Sequence, residues 1–267
     1  MTLALSRKAL SAIAERVDEA QTNGRSLTLP TEAHEGFDMA CGYAVQDLLR
    51  DRWKVRGRRL VGYKAGLTSR AKMAQMKVDT PTFGFITADM AVPDGGICPT
   101  RLLSRPRVEP EIAFVLKPDI AAALRTEADV LAATDFIAPA IEIIDSRYAD
   151  YKFDLPSVVA DNSSSARYVI GGRPRRPAEL DLRTIGIVVV QNGEVVGEAA
   201  SGAVLGNPAR TIIMLSQWLE DRGEALEGGS LILTGGACEA QLVSAGDSVC
   251  ARFQDMGDVT VRFVEDV

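Results

Sequence analysis

Apolar residues recur at helical spacing through the first part of the chain. Leu3, Leu10, Ile13, Val17 and Ala20 fall on one side over residues 3–22, and Asn23-Gly24 supplies a stop. A polar interval with capping residues follows at residues 31–38. A second helical pattern then turns Met39, Tyr43, Leu48, Leu49 and Trp53 to one side and ends near Gly57. Beyond that point the period shortens. A short strand is predicted at residues 60–63, leading into KAGLTS, with one or two helical turns over residues 69–76. Turns follow at Thr80-Pro81 and at Pro93-Asp94-Gly95-Gly96. Strands are predicted over residues 108–116 and 137–144. The Asn192-Gly193 pair between residues 187–190 and 195–196 signals a hairpin. Asn207 as N-cap and Pro208 at the first position open a helix that runs to Gly223. Residues 231–233, 248–253 and 259–264 complete the strands, the last two joined through residues 255–258. Strand and helix do not alternate, and no GxGxxG or Walker sequence is present. The pattern predicts an α+β chain: a helical part at residues 1–57 and a β-rich domain at residues 58–267.

Composition narrows the chemistry. The chain has 267 residues, 46% hydrophobic and 25% charged, enough to bury a core without a structural staple, so any metal serves function rather than folding. A net charge of −6 argues against nucleic acid or an anionic membrane as partner, and the broken basic run over residues 50–59 reads as solvated surface. Cys41, Cys98, Cys238 and Cys250 form no CxxC pair, which removes a zinc site and a disulfide framework. The N-terminus lacks an apolar signal core, and no stretch reaches the ~18 apolar residues of a membrane span, so a cytoplasmic protein is expected. The single histidine, His34, lies in a polar stretch and reads as a surface or capping residue. A histidine-rich metal site is excluded, and a bound metal must rely on carboxylates.

Such carboxylates stand in RVEPEIAFVL. In a strand Val108, Pro110, Ile112, Phe114 and Leu116 share one apolar face, while Glu109 and Glu111 share the other, about 6.5–7 Å apart. Pro110 cannot donate to a ladder, which suggests an edge or a bulge. Glu142 lies inside the apolar run PAIEII, where an acid is costly unless paired or protonated. Mg²⁺ or Mn²⁺ among the three resolves the conflict; a solvated face, or pairing with Lys or Arg, is the other reading. Lys64, close to Gly66, is a candidate proton or charge carrier, or a surface lysine. Asp79 before Thr80-Pro81 is a catalytic candidate or a turn residue. The polar run at residues 161–165 and the Thr234-Gly235-Gly236 turn are candidates for substrate contact or plain loops.

Four stretches, GYKAGLTSRAKMAQMKVDTPTFGFI, RVEPEIAFVL, PAIEIIDSRYADYKFDLPSVVADNSSS and LILTGGA, in this order, resemble the 2-oxopent-4-enoate hydratase and 4-oxalocrotonate decarboxylase family of aromatic meta-cleavage degradation. The resemblance covers nearly the whole chain and is strongest over residues 60–172. GLTSRAKMAQM, VPDGG, DSRY followed by KFDLPSVVADN, and LTGG are more similar to the decarboxylase branch. It implies the mixed β-roll or sandwich of the fumarylacetoacetate hydrolase C-terminal type. It implies Glu109, Glu111 and Glu142 as ligands of Mg²⁺ or Mn²⁺, Lys64 as the active-site lysine with Asp79 as a second catalytic residue, and Asn162 and Ser164 near the substrate. Leu67 and Thr234 complete the expected substrate contacts. The implied substrate is a small 2-oxo dicarboxylate, 2-oxo-3-hexenedioate, decarboxylated to 2-hydroxypenta-2,4-dienoate. Hydration of 2-oxopent-4-enoate, hydrolysis of an acylpyruvate and a non-catalytic scaffold are the alternatives. A complex with a partner hydratase, a homo-oligomer, or both, is expected.

Overall fold

The computed structural model describes residues 3–70, 73–74, 78–118 and 123–266. Helix α1 (Arg7–Asn23) starts where the Ser6 side chain accepts the Ala9 N–H and stops at Gly24 in the left-handed conformation. A four-residue helix, α2 (Pro30–Ala33), follows and ends at His34. It lies in the interval read as capping residues, and is too short to leave a periodic trace. Helix α3 (Met39–Val55) is capped by Asp38, whose carboxylate accepts the Cys41 N–H.

The strands form two sheets. The larger has the order β2 (Thr82–Thr87), β1 (Leu60–Gly66), β10 (Leu231–Leu233), β5 (Arg107–Leu116), β6 (Thr134–Ile144), β7 (Ser165–Ile170) and β3 (Ala91–Val92), with β11 (Gln241–Leu242) also pairing with β5. The smaller runs β4 (Gly96–Pro99), β13 (Gly257–Val264), β12 (Ser248–Phe253), β8 (Gly186–Gln191) and β9 (Glu194–Ala200). Asn192 and Gly193 both have positive φ, as the β8–β9 hairpin requires.

Strand parity decides what each face of the large sheet meets. Val108, Ile112, Phe114 and Leu116 pack with Val249, Ala251, Val261 and Phe263 of the small sheet. Ala113 and Ala140, on the opposite face, pack with Leu10, Val17, Val45 and Trp53 of α1 and α3. The large sheet is therefore held between the small sheet and the N-terminal helices. The glutamates project from its helix-side face.

Three expectations are corrected. Pro110 lies neither on an edge strand nor at a bulge, because β5 pairs with β6 on one side and with β10 and β11 on the other. Its carbonyl accepts the Ala237 N–H at 3.0 Å, in the gap between β10 and β11, so the missing donor faces an interruption in the neighbouring ladder. Strand β1 continues to Gly66, which places Lys64 inside the strand rather than after it. The helix after Asn207 runs over Ala209–Asp221 with Pro208 at the cap, and the Asn207 amide oxygen accepts the Ala209 N–H at 3.0 Å. The turns expected over residues 69–76 fall partly outside the described residues. Among the described residues, no helix is long and apolar enough to cross a membrane.

Candidate active site

Glu109 and Glu142 stand directly opposite each other in the β5–β6 ladder, and Glu111 follows one pleat along the same face. Each offers an oxygen to a cluster whose atoms lie within 4.8 Å of one another. Glu111 and Glu142 are fully buried, and Glu109 is 9% exposed. Lys64 belongs to the same face by register, because it pairs with Leu233 and Leu233 pairs with Ala113. Its ammonium lies 3.2 Å from Glu142 Oε2 and donates to the Ser163 carbonyl at 3.0 Å. Even so, neither Glu142 oxygen accepts a well-aligned hydrogen bond, and Glu111 Oε1 has no partner. Orphaned buried acceptors on this scale are exceptional in a folded core.

The electrostatics follow from that crowding. Burial, then the charges of Glu142 and Glu109, push the Glu111 carboxyl well above the usual carboxylate range. Burial pushes Glu142 up to about 7, with Lys64 opposing and Glu109 reinforcing the rise. Burial disfavours the Lys64 cation, but the three glutamates outweigh it and hold its pKa above that of an ordinary lysine.

The surrounding chain fixes these groups. Gly235 donates its N–H to Glu111 Oε2 at 2.7 Å. A β-carbon at Gly236 would lie 2.9 Å from the Glu109 carboxyl carbon, and one at Gly235, where φ is +103°, would lie 2.0 Å from Thr68 Oγ1. The two glycines let this turn close on the glutamates, so its close approach serves the carboxylates. On the other side Asn162, Ser163 and Ser164 all have positive φ, a strained run of the kind that collects at functional sites. A buried ion pair between Arg147 and Asp161 anchors it, with the Arg147 guanidinium also donating to the Asp161 and Ser165 carbonyls.

A cavity of about 280 Å³ opens over Lys64 and Glu109, walled mainly by Leu67, Ile144, Tyr151, Phe153 and Val158. A larger cleft of about 530 Å³, between Arg50, Arg59 and Glu224, holds none of the clustered glutamates; the chemistry lies in the smaller one. Leu67 and Ser164 line this cavity as expected, and the Ser164 hydroxyl is buried without a partner. Asn162 does not offer its amide there. Its oxygen accepts the Phe85 N–H at 2.8 Å and its nitrogen donates to the Phe85 carbonyl at 2.9 Å. The Thr234 hydroxyl is committed to the Ile112 carbonyl at 2.8 Å. Asp79 is exposed in a bend and is not part of the cavity wall. Arg107 and Tyr151, which do line it, were missed. Strand parity places Arg107 on the face of Glu109 and Glu111 and could have found it; Tyr151 left no such signal.

Comparison with known proteins places this geometry. A family model described as fumarylacetoacetate (FAA) hydrolase C-terminal matches residues 60–264. The chain belongs to the fumarylacetoacetate hydrolase family. Within that family it is 45% identical to a 4-oxalocrotonate decarboxylase of Pseudomonas sp. (strain CF600), over 99% of this chain and 100% of that protein. It is 38% identical to a 2-keto-4-pentenoate hydratase of Burkholderia vietnamiensis (strain G4 / LMG 22486), over 96% of this chain and 98% of that one. The structure of a 4-oxalocrotonate decarboxylase from Pseudomonas putida G7, complexed with magnesium and adipate, superposes with a TM-score of 0.95 at 43% identity, covering 98% of this chain and 100% of that chain. The fold is thus the α+β architecture of the family, with helices added at the N-terminus.

Proposed function

We propose that the protein is a divalent-metal-dependent decarboxylase that converts 2-oxo-3-hexenedioate into 2-hydroxypenta-2,4-dienoate and CO₂ in the degradation of aromatic compounds. The observation that carries the reading is the cluster Glu109, Glu111 and Glu142, with orphaned oxygens, beside Lys64 at one end of a cavity with mostly apolar walls. Those oxygens fit a hard cation, which prefers carboxylates and keeps positions open for substrate. The related decarboxylase bound to magnesium and adipate, a six-carbon dicarboxylate, supports both the metal and the substrate length. Bound Mg²⁺ or Mn²⁺ supplies Lewis acidity at the 2-oxo oxygen.

The residues of the chain would do the rest. Glu109, Glu111 and Glu142 hold the ion, and the Gly235 N–H keeps Glu111 oriented. When the C5–C6 bond breaks, CO₂ departs and its electron pair forms C4=C5. The C3=C4 pair moves to C2=C3, and the 2-oxo oxygen takes the negative charge. Lys64, fixed by the Ser163 carbonyl and held as a cation by its carboxylate neighbours, stabilises that charge and gives the oxygen its proton. The apolar walls keep bulk water from C5, where a proton would otherwise yield a different isomer. Among the described residues the cavity wall contains no histidine to activate water, and His34 sits at the end of α2; this weighs against an acylpyruvate hydrolase.

The hydratase relative keeps water addition as the second reading. Incubation with 2-oxo-3-hexenedioate and Mg²⁺ should release one CO₂ per substrate consumed. Absence of CO₂, with hydration of 2-hydroxypenta-2,4-dienoate instead, would assign the chain to the hydratases. Association with a hydratase belongs to the same proposal, because the dienol product is short-lived in water; co-purification of the two proteins tests it.

A further inference from the structure

Two donors in the cavity wall have no task in the scheme above. Arg107 Nε and Tyr151 Oη are both buried and both lack a hydrogen-bond partner. They are neighbours, with the Arg107 guanidinium 4.7 Å from the centre of the Tyr151 ring. Tyr151 also has a φ of 58°, a left-handed conformation that a bulky residue adopts only under constraint. An unsatisfied buried donor costs stability, and two adjacent ones facing one cavity mark the place of an acceptor.

Strand geometry gives the distance. Arg107 precedes Glu109 by two residues on the same face of β5, a step of about 6.5–7 Å. An extended six-carbon chain, five zigzag bonds of about 1.5 Å each, spans about 6 Å between its terminal carbons. A diacid held at the glutamate cluster by its C1 end would therefore carry its far carboxylate to Arg107. Burial and then the Glu109 charge push the Tyr151 phenol far above its ordinary pKa, so it stays a donor.

We propose that Arg107 and Tyr151 form the subsite for the far carboxylate of the substrate and make the enzyme selective for dicarboxylic 2-oxo acids. The inference rests on the decarboxylase reading and adds its specificity determinant. A guanidinium stacked on a tyrosine ring gives a carboxylate a fixed, charge-assisted donor. Cleavage turns that carboxylate into neutral CO₂, so the grip ends with the reaction and both products leave.

The test compares two non-reacting probes of equal length, 2-oxohexanedioate and 2-oxohexanoate, by calorimetry on the Mg²⁺-loaded protein. They differ only in the terminal carboxylate. The wild type should bind the diacid at least about tenfold more tightly, as expected for a charge-assisted contact. Arg107→Met should abolish most of that preference while leaving affinity for 2-oxohexanoate within about twofold, and Arg107→Lys should restore part of it. Tyr151→Phe, a smaller change, should reduce the preference several-fold. Equal affinity for the two probes in the wild type would overturn the subsite, as would a preference that survives in both Arg107→Met and Tyr151→Phe. Turnover of 2-oxo-3-hexenedioate by the same wild-type preparation separates the two levels. Turnover without probe preference defeats the subsite alone; preference without turnover defeats the decarboxylase reading alone.

Discussion

Replacing Glu142 by Gln removes one charge from the buried cluster and should change stability in opposite directions with and without metal. In the metal-free protein burial raises the Glu142 carboxyl to about 7 from an ordinary 4.5. The folded state therefore binds this proton more tightly than the unfolded state, and the wild type gains stability as pH falls through that window. At about 1.4 kcal/mol per unit, the gain between pH 8 and pH 5 is about 2.5 kcal/mol. Gln cannot titrate, so Glu142→Gln should lack that part of the profile. Urea denaturation of both metal-free proteins at pH 8 and pH 5 measures it: wild type relative to variant should improve by about 2.5 kcal/mol at the lower pH. Saturating Mg²⁺ at pH 8 should then stabilise the wild type by about 2.7 kcal/mol or more at a hundredfold excess over its dissociation constant, and the variant much less. Parallel pH profiles in the two proteins, or equal Mg²⁺ stabilisation, would refute both the buried charge conflict and its relief by metal.

Further outcomes are expected. Lys64→Met should lower kcat by about a hundredfold or more and leave Mg²⁺ affinity intact or tighter, since a competing cation 3.2 Å from Glu142 is gone; kinetics beside calorimetry checks this. Asn162→Ala should cost about 2–3 kcal/mol in denaturation, because it strands the Phe85 N–H and carbonyl, while KM for the surviving folded enzyme stays near that of the wild type. Gly236→Ala should weaken Mg²⁺ binding, because its new β-carbon would press on the Glu109 carboxyl at 2.9 Å; a titration curve unchanged from wild type would contradict that account of the turn.

How much of this was legible depends on the range of the signal. Period-2 alternation paired Glu109 with Glu111, and the apolar run flagged Glu142, since both are local properties of single strands. That Glu142 faces Glu109, and that Lys64 reaches them across the short strand β10, are matters of register between distant segments, which local pattern does not encode. Asn162 and Thr234 misled for a related reason. A polar residue next to a site reads as a ligand contact, while its real partners, Phe85 and Ile112, lie 77 and 122 residues away. Arg107 obeyed the parity already in use and was passed over because the glutamates drew the attention. Tyr151 enters the cavity from a loop with irregular backbone, where no periodicity operates.

The central claim is that clustered glutamates and Lys64 make this chain a metal-dependent decarboxylase of a 2-oxo dicarboxylate. The most direct measurement follows CO₂ and product together after purified protein meets 2-oxo-3-hexenedioate, with Mg²⁺ or with excess chelator, for the wild type and for Glu109→Gln. One CO₂ and one 2-hydroxypenta-2,4-dienoate per substrate with Mg²⁺, and loss of both with chelator or in the variant, is the predicted result. Undiminished CO₂ release in chelator, or substrate consumption without CO₂, would contradict it.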